Sequence, residues 1–197
     1  MIIASHGINS LKRDDTEYVT IGGYKYKVVK IGKQKWIAEN LRLEVGTYVY
    51  YHFDKSQYEY MGCYYMLDNL TPVQNALPDG WRIPTKTDFE TLIASVGGSS
   101  NGGYKLKSTT DWLQNNGDNS SGFDGRPYQR YGPTDYGGND WGDPPDFGKT
   151  ARFASQTEIY DGNYRHYFLN LTKDNNSAEI YTHFNSFYLS IRLIKDE

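Results

Sequence analysis

The sequence predicts an α+β domain, and three observations predict it. Near both ends, apolar and polar residues alternate. Tyr24, Tyr26 and Val28 against Lys25 and Lys27 give a strand with one dry and one wet face. Between the ends, "PTKTDFETLIASVGG" carries a helical apolar stripe with its own start and stop signals. Gly, Asn and Asp turns separate the strand-like segments, and no repeat of about 20–50 residues is visible. Hairpins at both ends with helices between them is an α+β order.

Each element follows from local chemistry. Residues 1–17 are polar and aperiodic, so a terminal arm is expected, with the domain running over 18–197. Strands begin at Tyr18, with turns at Gly22-Gly23 and Ile31-Gly32-Lys33. "VGTYVYYHFD" (45–54) is a further strand candidate, and 55–70 fits no single period. "TPVQNALPDG" (71–80) suits a short helix ended by Pro78 and Gly80. The strongest helix has Thr85 as N-cap and Asp88 three residues on, close to a capping box. Phe89, Leu92, Ile93 and Val96 form its stripe, and Gly97-Gly98 ends it. A second short helix is expected through Tyr104–Ser108, carrying Leu106 inward. Residues 113–150 are dense in Gly, Pro, Asn and Asp; so long an aperiodic stretch is often functional. "ARFASQTE" (151–158), "YRHYFLNLT" (164–172) and a terminal strand complete the chain. In that last strand Leu189, Ile191 and Leu193 point inward, with Ser190, Arg192 and Lys195 on the wet side.

Composition narrows the function. A chain of 197 residues can bury a real core as one domain. Its net charge of −3 and scattered basic residues argue against nucleic acid as a partner. The five lysines of "KYKVVKIGKQK" (25–35) alternate along strands as a solvated face. No apolar run of about 18 residues is present, so no membrane insertion is expected. "MIIASHGINSLKRDD" has no basic start and only a short apolar run, so it does not read as a signal peptide. A single cysteine, Cys63, excludes an internal disulfide and a multi-cysteine zinc site; a buried small hydrophobe is its plain reading. Tyrosine is the unusual count, at 19 beside 20 glycines. That is the palette of recognition surfaces, and also of loop-rich β proteins with half-buried tyrosines; composition does not separate the two.

Six stretches arrive in a fixed order: "VVKIGKQKWIAENL" (28–41), "LPDGWRIPTKTDFETLI" (77–93), "GGSSNGGYKLKSTTDW" (97–112), "SGFDGRP" (121–127), "FASQTE" (153–158) and "YLSIRLIKD" (188–196). Together they resemble the Fibrobacter succinogenes major paralogous domain, a family of bacterial surface and secreted modules, over roughly residues 20–196. The resemblance implies a C-type-lectin-like fold. Its N- and C-terminal strands lie side by side, helices pack on that sheet, and a long loop region leads to a second small sheet. Two family cysteines are replaced here by Leu77 and Leu193. If the family pair is a disulfide, its loss removes about 4–5 kcal/mol of chain-entropy stabilisation. Two buried leucines return about 3–6 kcal/mol. That exchange suits folding in a reducing compartment, such as a phage particle assembled in cytoplasm. Paired family tryptophans are replaced by Arg152-Phe153, where Phe153 can still fill a core site.

The residues offer little for catalysis. No Gly-x-Ser-x-Gly, phosphate-binding glycine loop or His-Glu-x-x-His is present. His6, His52, His166 and His183 are far apart in sequence, although His166 and His183 could meet on adjacent strands. Formylglycine-generating enzymes, which share the broad fold, use a cysteine pair, and Cys63 has no second cysteine. Asp135, Asp140, Asp143 and Asp146 of "DYGGNDWGDPPDF" are the candidates for a calcium site, with a solvated acidic loop as the plainer alternative. Trp112 lies in a family stretch and is expected in the core; Trp141 is the candidate for an exposed stacking ring.

The binding expectation rests on residues 160–188. Nineteen of these 29 residues are Tyr, Asn, His, Phe, Ser or Asp. Changing the adenines of an asparagine codon reaches all the others. C-type-lectin-like folds carry the variable regions of diversity-generating retroelements, which mutate at adenines, so the segment resembles such a variable region. Tyrosine gives large contact area with few rotors, and Asn, Ser and His give adaptable hydrogen bonds. The expected function is a non-catalytic module binding a protein or glycan receptor, displayed on a virion or cell surface. Its expected contact residues are Tyr160, Tyr164, His166, Tyr167, Tyr181, His183, Asn185, Phe187 and Tyr188, with Trp141. The alternative is a carbohydrate-binding or structural module of fixed sequence, stabilised by calcium.

Overall fold

Alternation near the N-terminus builds an antiparallel meander of β1 (Tyr18–Ile21), β2 (Tyr24–Ile31) and β3 (Gln34–Ile37). The computed structural model of the chain describes residues 16–50, 54–127 and 148–196. The turn at Gly22-Gly23 takes positive φ at both glycines, which a two-residue hairpin needs. Two short strands extend the meander. They are β6 (Trp81–Arg82) and β11 (Ile194–Lys195), in the order β1-β2-β3-β11-β6. The C-terminal strand therefore lies directly beside an N-terminal one, with Ile194 opposite Trp36.

The second sheet has six strands. They are β4 (Tyr48–Val49), β5 (Tyr64–Met66), β7 (Thr150–Tyr160), β8 (Tyr164–Thr172), β9 (Ala178–Phe184) and β10 (Tyr188–Ser190). Their order is β4-β5-β10-β7-β8-β9, antiparallel except where β10 meets β7. With α1 (Lys55–Tyr58), α2 (Thr71–Asn75), α3 (Lys86–Ser95) and α4 (Ser99–Leu106), the described residues form a mixed α+β architecture. None of these helices is long and apolar enough to cross a membrane.

α3 forms where the sequence places it. The Thr85 side chain accepts from Asp88 N, and the Asp88 carboxylate accepts from Thr85 N at 2.7 Å, a complete capping box. Asp88 also accepts from both terminal guanidinium nitrogens of Arg82. Burial alone would raise the Asp88 carboxyl, but the Arg82 and Thr85 bonds outweigh it and hold it below the usual carboxylate range. Phe89, Leu92 and Ile93 face the core, and the Phe89 ring stacks 5.8 Å from Trp36. α4 starts at Ser99, five residues before its expected start. Its Gly102-Gly103 pair lets the helix backbone lie against the β8–β9 turn.

Two cores result. One, between the sheets, holds Tyr26, Ile37, Tyr65, Ile83, Phe168, Leu189 and Leu193, with Leu77 packed at its margin. The two leucines at the family cysteine positions thus share one apolar cluster. The other lies under α3 and α4 and gathers Trp36, Phe89, Leu106, Phe123, Phe153 and Leu169. Trp112 is buried there, its indole N–H donating to Ser108 Oγ at 3.1 Å. Cys63 is fully buried and free, and burial pushes its thiol up to about 11.

The terminal strand corrects an expectation. Ser190 and Arg192 are buried, not wet. The chain crosses from the second sheet to the first between β10 and β11, so both of its sides are covered. The Arg192 guanidinium donates to Asn40 Oδ1 (2.7 Å) and to the carbonyls of Phe123 (2.5 Å) and Asp124 (2.9 Å). It also lies over the Phe123 and Phe153 rings. Lys107 is a second buried cation, donating to the carbonyls of Asn115, Thr172 and Asn175. It ties a loop to the connection between β8 and β9, and burial pushes its ammonium down to about 8.

Candidate functional site

β7 and β8 form the longest hairpin, closed by Asp161-Gly162-Asn163 with Gly162 at φ +99°. A three-residue turn fixes the register: Tyr160 stands opposite Tyr164, and Glu158 opposite His166. β9 adds on the far side, with His183 opposite His166 and Tyr181 opposite Phe168. Direct cross-strand partners share a sheet face. Tyr160, Tyr164, Tyr181 and His183 therefore project from one face; Arg165, Tyr167, Thr182 and Phe184 project from the other.

Exposure is greatest at the hairpin tip. Tyr160 is 65% exposed, Tyr164 60%, Tyr181 49% and Phe184 40%. The Tyr160 and Tyr164 rings touch, with centroids 4.7 Å apart. The Arg165 guanidinium lies 4.5 Å over Phe184. Tyr181 donates to Glu179 at 2.8 Å, and that carboxylate bond raises the phenol above its usual value. Tyr167 is half-buried beneath Lys86, whose ammonium lies 5.4 Å from the ring. Tyr188 and Asn185 are half-buried, and Asn185 Nδ2 donates to Glu158 at 2.6 Å.

Two expected contact residues belong to the interior. Phe187 is 3% exposed and packs in the inter-sheet core, with the half-buried His183 ring 3.7 Å away. His166 is 7% exposed, with Nδ1 at 2.9 Å from the Ser155 carbonyl. A register shift between Ala154 and Glu158 bulges β7 toward it. His166 and His183 are cross-strand partners, as two adjacent strands allow. Trp141 and the candidate calcium ligands Asp135, Asp140, Asp143 and Asp146 lie outside the described residues. So do His6, His52 and residues 1–15 of the expected arm. Among the described residues no three His, Cys, Asp or Glu side chains converge as metal ligands.

Sequence reasoning missed Phe184, Arg165 and a groove at the foot of the hairpin. The groove, of about 430 Å³, runs between the β7 bulge and the segment leading into α2, with Asp68, Gln74, Gln156, Glu158 and His166 among its walls. The signal for Glu158 was available: centring the hairpin on Gly162 places it opposite His166.

No curated protein and no solved structure matches the chain. The model of the Fibrobacter succinogenes major domain matches residues 29–195, which takes in the six-stranded sheet, the four helices named above, the aromatic hairpin and the first sheet from the end of β2 onward. The chain belongs to the Fibrobacter succinogenes major domain family.

Proposed function

We propose that the chain is a non-catalytic binding module whose contact face is the distal end of β7, β8 and β9. The observation that carries this reading is that Tyr160, Tyr164 and Tyr181, each 49% exposed or more, project from one face of three adjacent strands, with Phe184, 40% exposed, on the reverse face of the same end. Large apolar rings held together in water mark interaction sites, whereas isolated ones do not. Tyrosine at such a face supplies contact area at low entropic cost, and His183 and Asn163 beside it supply adaptable polar groups.

The frame under the face is of a different kind. Leu169, Leu171, Leu189 and Leu193 are fully buried aliphatics. The adjacency of β3 and β11 and the second sheet support reading this frame as C-type-lectin-like. A face rich in adenine-reachable residues on such a frame suits diversification of the exposed positions. Its partner is a protein or glycan receptor, and display on a phage tail or bacterial surface is the fitting setting.

Sequencing the gene across independent isolates tests this reading. Substitutions concentrate at Tyr160, Asn163, Tyr164, Tyr181 and Phe184, while Phe168, Phe187 and the buried leucines stay fixed. Substitutions spread evenly over the whole surface would overturn it.

A further inference from the structure

We infer that the groove at the foot of the hairpin receives a basic side chain, lysine or arginine, of a protein partner. This inference rests on reading the aromatic end as a contact face. The groove adjoins that face directly. Glu158 is two residues from Tyr160, and His166 two from Tyr164, on the same side of the hairpin.

The groove is rich in hydrogen-bond acceptors. The Ser155 carbonyl can only accept, so His166 Nδ1 carries a proton. In the neutral ring Nε2 is then an acceptor, and it faces Glu158 Oε1 at 3.9 Å, beyond hydrogen-bond reach; that oxygen accepts from Asn185 Nδ2, which leaves the second carboxylate oxygen for a ligand. The His166 side chain is more than nine-tenths buried and lines the groove, so this atom has few routes to a donor except through the groove itself. The Asp68 carboxylate, also on the wall, accepts no hydrogen bond from any described residue. Asp68 and Glu158 are the charged residues of the lining, and no lysine or arginine balances them.

That set selects its ligand. A hydroxyl carries one proton and can serve either His166 Nε2 or Glu158, not both. An ammonium or guanidinium carries several N–H groups and can bridge the two while meeting the charge of the carboxylates. The exposed Tyr160–Tyr164 pair nearby offers ring faces to the aliphatic stem and the cation, which favours a side chain on a protein chain over a free amine.

The test is a titration of the ¹⁵N-labelled chain with Nα-acetyl-lysine methylamide and, separately, with methyl glucoside, read at the His166 ring nitrogens and the amides of 156–158. The lysine derivative is expected to give saturable shifts with Kd of about 1–10 mM, and the glucoside none. Glu158→Gln and Asp68→Asn each weaken binding about tenfold, and Glu90→Gln, away from the groove, leaves it unchanged. No saturation by the lysine derivative, equal shifts with the glucoside, or a His166 ring doubly protonated at neutral pH would overturn the inference. Tyr160→Ala/Tyr164→Ala separates the two claims. If it abolishes binding to a receptor surface while the parent groove ignores the lysine derivative, the contact face stands and the groove assignment falls.

Discussion

Gly103→Ala probes the joint that launches β9, and with it Tyr181 and His183. A Cβ built on Gly103 would sit 2.1 Å from the Ser177 carbonyl oxygen, 2.6 Å from its carbon and 2.8 Å from the Asn176 oxygen. All three are backbone atoms, so no side chain can swing aside. Relief requires α4 and the β8–β9 turn to separate by more than 1 Å, and overpacking of that kind costs about 1–3 kcal/mol. Separation also strains the Tyr104 N–H bond to the Asn176 carbonyl, 3.2 Å long, which contributes about 1 kcal/mol. Against this, alanine gains about 1 kcal/mol of helix propensity over glycine. The net is a loss of about 1–3 kcal/mol, or about 2–12 °C in Tm for a chain of this size. Gly102→Ala is the control. Its Cβ would meet the side chains of Val96 and Ala178, at 3.0 and 3.5 Å, with the nearest backbone atom, the Ile93 carbonyl oxygen, at an ordinary 3.9 Å, so the propensity gain offsets most of the crowding. Thermal and urea unfolding followed by circular dichroism check both variants. A Gly103→Ala protein as stable as its parent would refute backbone-to-backbone packing of α4 on the turn.

Other outcomes follow from the buried polar groups. Arg192→Leu leaves Asn40 Oδ1 and two carbonyls without their donor and is expected to cost about 3 kcal/mol, read as a lowered urea midpoint at unchanged slope. Asp88 has a folded pKa below its unfolded one, so its contribution is present above about pH 4 and is lost as pH falls through the folded value. Unfolding free energy should therefore drop more steeply below about pH 4 in the parent than in Asp88→Asn. Cys63, sealed and with its thiol pushed up to about 11, should resist a thiol-reactive disulfide reagent in the native state and react fully once unfolded.

Local chemistry made much of this legible in the sequence. The Thr85–Asp88 box, the Phe89–Leu92–Ile93 stripe and the closing glycines of α3 are short-range signals, and they form as written. The hairpin turn at Asp161-Gly162-Asn163 was equally local, and it fixes the pairing that exposes Tyr160 and Tyr164. What failed depended on distant partners. Alternation placed Arg192 in water because a strand crossing between two sheets has the same pattern as a half-buried one. Distant acceptors make its burial tolerable: Asn40, about 150 residues away, and the carbonyls of Phe123 and Asp124, about 70 residues away. Gly102-Gly103 hid the start of α4, since glycine weakens a helix unless a close neighbour needs the space. His166 and Phe187 were indistinguishable by residue type from their exposed neighbours, and the β7 bulge and the inter-sheet core decide their burial.

The most direct measurement compares binding of the fluorescently labelled parent and of Tyr160→Ala/Tyr164→Ala to a panel of bacterial cells and a glycan array, with unfolding of both followed in parallel. The account predicts that the parent binds at least one of these surfaces. The double variant should lose about tenfold or more of that affinity while unfolding within about 1.5 kcal/mol of the parent, because both rings are more than half exposed. Equal binding by the two proteins, or none by either, would contradict it.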